Sequence, residues 1–155
     1  MDARWTKKRK ISSFGYKNHI NIDKEHRFIR KWKVSNASLH DSRAFKKIYI
    51  HDKNLPVYAD AAYRSKDIEK FIKNSRGKSK IQWKKPPNKK LTLYKKTLNQ
   101  INSITRAVVE HVFAKQKTHM ILFIRSIGLK RAKFKTGLAN LVYNFTRFEF
   151  LTRNA

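Results

Sequence analysis

Two carboxylates in this sequence stand where chemistry could use them. Asp60 ends the short apolar run Pro56-Val57-Tyr58-Ala59 and is followed by the small residues Ala61-Ala62. That pattern puts an acid at the C-terminal end of a buried strand, with room for a ligand to approach. Glu110 lies in Arg106-Ala107-Val108-Val109-Glu110-His111-Val112-Phe113. At about 100° per residue, Arg106, Glu110 and Lys117 fall in one narrow polar stripe, bordered by an apolar face of Ile104, Val108, Val109, Val112 and Phe113. Spacing alone leaves plainer readings open: Asp60 as the cap of a helix starting near Arg64, and Glu110 as an exposed i,i+4 partner of Arg106. Paired, the two acids have a chemical use. Moving a phosphodiester requires charge to be neutralised on both the entering and the leaving oxygen, and two Mg²⁺ or Mn²⁺ ions about 4 Å apart do this when carboxylates hold them. Such hard ions need only a few protein oxygens. Arg106 could then fork onto a phosphate, with Lys117 acting as a point charge.

The composition sets these acids in a basic field. Among 155 residues, 38 Lys and Arg oppose 10 Asp and Glu, a net charge of +28 that a polyanion would relieve, so nucleic acid is the expected partner. An apolar fraction of 40 %, with 10 Phe, 6 Tyr and 3 Trp, supplies a core and excludes a disordered basic tail. Zero cysteines exclude a disulfide scaffold, thiolate zinc fingers and a cysteine nucleophile. No apolar run approaches the ~18 residues of a membrane span, so no membrane partner is expected. Lys84, Lys85, Lys89 and Lys90 flank Pro86-Pro87 in a stiff basic loop suited to phosphate contacts.

The elements that must position these residues follow from periodicity. Residues 1–13 are basic and unperiodic. Gly15 to Ile22 alternates, as do Phe28, Trp32 and Val34, predicting an antiparallel hairpin. His40-Asp41-Ser42 opens a short helix with Asp41 as its cap. Pro56 to Asp60 is a strand, Lys66 to Asn74 a helix stopped by Gly77, and Lys80 to Trp83 a strand ended by Pro86-Pro87. Helical period then runs from Leu91 to about Met120, with a break near Asn102-Ser103, and from about Lys130 to Leu151. In the last helix Phe134, Leu138, Leu141, Val142, Phe145 and Phe148 form one apolar stripe, read as packing. The layout is an α/β layered domain.

With these residues in place, the chain resembles the DDE-type transposases of insertion sequences. The resemblance runs through Phe14-Gly15-Tyr16-Lys17-Asn18-His19, His40-Asp41-Ser42, Val57-Tyr58-Ala59-Asp60-Ala61-Ala62-Tyr63-Arg64 and Arg106 to Phe113, in the family's order. The family signature Y-x2-R-x3-E-x6-K is met by Arg106, Glu110 and Lys117, while Ser103 stands where Tyr is expected. The resemblance implies an RNase H-like three-layer α/β fold. It also implies Asp60 and Glu110 as the second and third acidic metal ligands, two Mg²⁺ or Mn²⁺ ions, and DNA cleavage and strand transfer. The first acid of the triad belongs on a strand upstream of Asp2-Ala3-Arg4-Trp5, and Asp2 has no apolar strand before it. The expectation is therefore a truncated or frame-interrupted transposase: residues 1–13 a lead-in, 14–151 a partial catalytic domain with a helical C-terminal segment. Such a chain binds DNA but is inactive alone; its expected protein partners are further copies of itself or a complementing N-terminal fragment, the latter restoring the triad. A cytoplasmic, nucleoid-associated location goes with that reading.

Blander assignments cover the rest. The six histidines form no ligand set by spacing. His111 flanks an apolar face, and His40 with Asp41 is a loop contact and cap. Trp32 and Trp83 belong to strands, with base stacking as an alternative for Trp83 beside the basic loop. Trp5 has no assigned environment. The competing function is a non-catalytic basic DNA- or RNA-binding protein, for which charge and aromatic content suffice but the placement of the two acids does not matter.

Overall fold

The computed structural model describes residues 3–8, 11–51, 54–124 and 127–154; Asp2 lies outside them. The expected hairpin forms, with β2 (Ile11–Ile22) antiparallel to β3 (Ile29–Asn36) and Ile20 opposite Trp32. Ahead of it, β1 (Arg4–Lys8) pairs with residues 11–15 of β2. The stretch that shows no periodicity is thus an edge strand, where charged side chains are tolerated because one side faces water. Trp5 finds its environment there, its ring 5.3 Å from that of Phe14 across the pair.

In α1 (Asp41–Ile48) the cap is His40, whose Nδ1 accepts from the Ser42 amide at 3.3 Å; Asp41 occupies the first turn instead. β4 (Pro56–Val57) and β5 (Lys78–Ser79) form a two-stranded parallel sheet joined through α2 (Lys66–Asn74). β4 is shorter than the predicted Pro56 to Asp60 strand, and β5 lies just ahead of the predicted Lys80 to Trp83 strand, which forms no regular strand, yet hydrogen bonds carry the pairing on into it. The Lys80 amide donates to the Val57 carbonyl at 2.9 Å and the Gln82 amide to the Ala59 carbonyl at 3.0 Å. The chain up to Asp60 is therefore held along the Lys80 to Trp83 segment. At the end of α2 it is Arg76 that takes the left-handed conformation; Gly77 is needed because a Cβ there would stand 2.6 Å from the Tyr49 hydroxyl.

α3 (Leu93–Thr118) is one unbroken helix, capped by Thr92 and running through Asn102-Ser103 without the predicted break. Asn102 is buried, as are Val112 and Gln116, while Ile104 is 75 % exposed and Phe113 half-exposed, so the buried face is narrower than expected. α4 (Leu129–Arg153) also forms as predicted, but with its faces inverted. Phe134, Leu138, Leu141, Val142, Phe145 and Phe148 are exposed, and the buried residues are Ala132, Thr136, Ala139, Asn140 and Tyr143. Small residues and amides let the helix sit close to the sheet: at Gly137 a Cβ would lie 2.9 Å from Trp32 Cζ2. Asn144 receives the Ile29 amide at 2.8 Å and donates to the Ile29 carbonyl at 3.0 Å. Asn140 Oδ1 accepts from Gln116 at 2.7 Å and from Asn18 at 3.2 Å.

Two apolar clusters result. One joins Phe45, Tyr49, Ile68, Ile72 and Ile81, with Ala59 packed against it. The other joins Ile20, Ile29, Val112 and Tyr143, with Val109 against it. Asp60 directly follows a residue of the first cluster and Glu110 a residue of the second, so each acid is anchored by a different core. The mixed α/β composition agrees with the expected class.

Candidate acidic pair and its cleft

Asp60 opens the single helical turn Ala61–Tyr63, and its carboxylate makes no capping hydrogen bond there; Ser65 caps α2 instead. The capping role left open by the sequence is therefore not the one Asp60 takes. Its Oδ1 lies 2.9 Å from Arg106 Nη1, and the same nitrogen lies 2.8 Å from Glu110 Oε1. One guanidinium thus ties the end of the β4 strand to α3 and holds both predicted acids. The two carboxylate oxygens can be no farther apart than these two contacts laid end to end. Arg106 is three-quarters covered, and its Nε is buried without a hydrogen-bond partner.

The pair borders a cleft of about 820 Å³ between the two sheets, floored by α3. Ile20 to Ile22 line one wall and Pro56 to Asp60 the other. Asp23, Glu25, Asp60 and Glu110 all face it, four of the chain's 10 acids, against Lys24, Arg30 and Arg106. A protein of net charge +28 therefore has one concavity where negative side chains slightly outnumber positive ones. Such a place suits cations better than phosphate. Asp23 is partly committed, accepting from the His26 amide at 2.6 Å.

Neighbouring groups stiffen the site. Arg64 Nε donates to the Gln82 carbonyl at 2.9 Å, Nη2 donates to the Ile81 carbonyl, Nη1 pairs with Glu69 at 3.2 Å, and the guanidinium lies 3.8 Å over the Trp83 ring. This locks the turn after Asp60 onto the adjacent strand. Arg64 covers a ring face that base stacking at Trp83 would need. Tyr63 also faces the cleft; burial, with Asp41 and Asp60 adding, pushes its phenol well above the usual tyrosine range, so it stays neutral.

Of the other residues singled out by sequence, Lys117 is exposed on α3, and Lys84, Lys85, Lys89 and Lys90 are exposed on the loop before α3. None of these five lines the cleft. Ser103 bonds back to the Gln100 carbonyl at 2.7 Å, its hydroxyl satisfied within its own helix. Sequence reasoning missed Asp23 and Glu25 as cleft residues, which their place after a predicted strand could have suggested. It also missed Arg64, whose signal was only its adjacency to Asp60-Ala61-Ala62-Tyr63.

The donor set can be tested for a divalent ion. Among the described residues no three His, Asp or Glu side chains converge on one point. Asp60 and Glu110 offer two hard oxygens on a short span, which fits Mg²⁺ or Mn²⁺ as a partial ligand set, with the guanidinium in the position a cation would take.

The geometry thus shows two acids joined by one arginine at the edge of a cleft on an α/β scaffold. Comparison with known proteins makes the class specific. Residues 1–145 match the family model described as Transposase DDE domain, and the chain belongs to that family. It is 32 % identical over 113 residues to the transposase for insertion sequence element IS1106 of Neisseria meningitidis serogroup B, covering 72 % of this chain and 39 % of that protein. The chain thus spans about two-fifths of that relative's length. No solved structure matches. Members of this family generally use divalent metal ions and act on DNA. No helix of the described residues is long and apolar enough to cross a membrane.

Proposed function

We propose that this chain is the part of an insertion-sequence transposase that carries the second and third metal-holding carboxylates, Asp60 and Glu110, within an RNase H-like domain. The observation that carries this reading is the side chain of Asp60. It forgoes the cap next to it and meets Glu110, 50 positions on, through Arg106. A basic binding module gives no reason for two acids on separate cores to be drawn together.

Asp60 and Glu110 would hold the divalent ions, Mg²⁺ or Mn²⁺, which supply charge neutralisation at the phosphodiester and a nucleophilic water or hydroxyl. The chain's own residues do the rest. Arg106 orients both carboxylates, and its remaining N–H groups can grip a phosphate as the strand enters. Lys117 adds a point charge farther along α3. Lys84, Lys85, Lys89 and Lys90 hold the duplex at a distance from the chemistry, blind to sequence. Tyr63, neutral at the cleft wall, can donate a hydrogen bond to a phosphate oxygen without changing the charge.

The cleft between the sheets is where a central strand bearing the first acid would pair, flanked by Ile20 to Ile22 on one side and Pro56 to Tyr58 on the other. Without a third carboxylate beside them, Asp60 and Glu110 would hold one ion weakly and would not support cutting.

Calorimetric titration with Mn²⁺ tests the reading. Binding heat is expected for the wild-type chain, lost in Asp60→Ala and in Glu110→Ala. DNA affinity in Mg²⁺ compared with EDTA should depend on both acids. Equal heats in all three proteins would favour the non-catalytic DNA- or RNA-binding alternative. Metal-dependent cleavage of element ends by the chain alone would refute the need for a further strand.

A further inference from the structure

Between β2, α3 and α4, four side chains have more hydrogen-bonding capacity than they use. Asn18 on β2 and Gln116 on α3 both donate to Asn140 Oδ1 on α4, at 3.2 and 2.7 Å. Asn18 Oδ1, Gln116 Oε1 and Asn140 Nδ2 are then buried without a partner, and so is Thr136 Oγ1. Thr136, Gln116 and Asn140 are 0 %, 2 % and 3 % exposed, so bulk water does not reach them. The three amide atoms are close together by construction. Oxygen and nitrogen of one amide are about 2.3 Å apart, so all three atoms lie within about 5.5 Å of Asn140 Oδ1. Thr136 stands four positions before Asn140, on the same face of α4. Its hydroxyl is not spent on the helix, whereas Thr97, Thr118 and Thr152 each donate to the carbonyl four residues earlier. Rotating the amides does not remove the demand. With all three turned over, Asn140 Nδ2 donates to both neighbours, and Asn18 Nδ2, Gln116 Nε2 and Asn140 Oδ1 are left instead.

We propose that Asn18, Gln116, Thr136 and Asn140 form a binding site for one internal water molecule that joins β2, α3 and α4. The water donates to Asn18 Oδ1 and Gln116 Oε1 and accepts from Asn140 Nδ2 and the Thr136 hydroxyl. Its two donors and two acceptors therefore match the four unpartnered groups one for one. If the amides are reversed, the same molecule serves them with its roles exchanged. Holding one water in place costs less than leaving these groups unpaired. A dry space would need an apolar lining, which these side chains do not supply. A monovalent cation is a poorer occupant, because the Asn140 amide nitrogen would face it and a net charge of +28 opposes it. The site ties the helix that carries Arg106 and Glu110 to both α4 and the hairpin. It is independent of the metal-site reading, since none of its four residues lines the cleft.

Crystallography of the intact chain, with oxygen-17 relaxation dispersion in solution, provides the test. Wild-type density is expected to show one water at ~2.7–3.2 Å from all four groups. Relaxation dispersion counts the waters that a protein holds for longer than bulk exchange allows. Thr136→Ile, which removes the hydroxyl and fills the water's place with carbon, should hold one fewer than the wild type. Thr136→Ser, which keeps the hydroxyl, should hold the same number. If Thr136→Ile does not fold, the wild-type density decides. Density with no water shared by the four groups, a peak ringed by oxygens alone as a cation would be, or an unchanged count in folded Thr136→Ile would each overturn the proposal.

Discussion

Arg106 Nη1 lies 2.9 Å from Asp60 Oδ1, an ion pair between residues 46 positions apart that joins the end of a parallel strand to the middle of a long helix. The same nitrogen reaches Glu110 at 2.8 Å, so a fixed positive charge lies where a divalent ion would compete.

Removing that charge should free the acids for metal. Arg106→Gln is expected to raise Mn²⁺ affinity about fivefold, the equivalent of roughly 1 kcal/mol for one charge removed at a water-accessible site. Asp60→Asn should abolish binding. Calorimetry reads both, and an unchanged affinity in Arg106→Gln would mean that the guanidinium does not compete with the ion.

DNA affinity should be set by the exposed lysines and fall steeply with salt. Converting Lys84, Lys85, Lys89 and Lys90 together to Ala should weaken binding to all sequences alike. For each phosphate that is no longer neutralised, the slope of log K against log salt should shrink by about 0.9. Fluorescence anisotropy at several salt concentrations measures this, and a change confined to one sequence would contradict it.

His19 makes stability depend on pH. Its ring is buried, with Nε2 2.8 Å from Ser35 Oγ, and burial lowers its pKa despite the opposing pull of Asp41. The folded state therefore disfavours the charged form that the unfolded chain takes up below about pH 6.5. The stabilisation is fully present above that pH and is lost as pH falls below it toward the lowered folded pKa. The melting temperature should drop between about pH 7.5 and 5.5, and His19→Gln should flatten that drop.

Gly137 offers a sign reversal. Alanine there gains about 1 kcal/mol of helix propensity but drives a Cβ to 2.9 Å from the Trp32 ring, an overpacking that costs about 1–3 kcal/mol. Gly137→Ala should destabilise the wild type by about 1 kcal/mol and stabilise a Trp32→Phe background by a similar amount, read by denaturant titration.

Much of the fold is legible in the sequence, for reasons that also explain what is not. Alternation locates the β2–β3 hairpin, and period locates α3 and α4, because backbone geometry imposes those repeats. Period does not say which side of a helix meets the rest of the molecule. The Phe and Leu stripe of α4 reads as core, whereas close approach to Trp32 demands Gly137 and the neighbouring small residues, and the backbone of Ile29 demands Asn144. Asp60 and Glu110 stand out because acids are scarce in so basic a chain, and the Arg106–Glu110 pair has the i,i+4 spacing that the sequence displays, but the Asp60–Arg106 contact is tertiary and has no local signature. Arg4 to Lys8 pairs as an edge strand despite lacking the apolar alternation by which strands are recognised.

The Asn144 clamp on Ile29 has a consequence for synthesis. The β2–β3 hairpin emerges early, yet the side chains that secure it belong to a helix about 115 residues later, counting from Ile29 to Asn144. At roughly 5–20 residues per second, a ribosome takes on the order of ten seconds to deliver that clamp. Until α3 is complete at Thr118 the nascent hairpin has neither long helix against its apolar face, and until Asn144 it still lacks α4, the period in which a chaperone has its best opportunity to engage it.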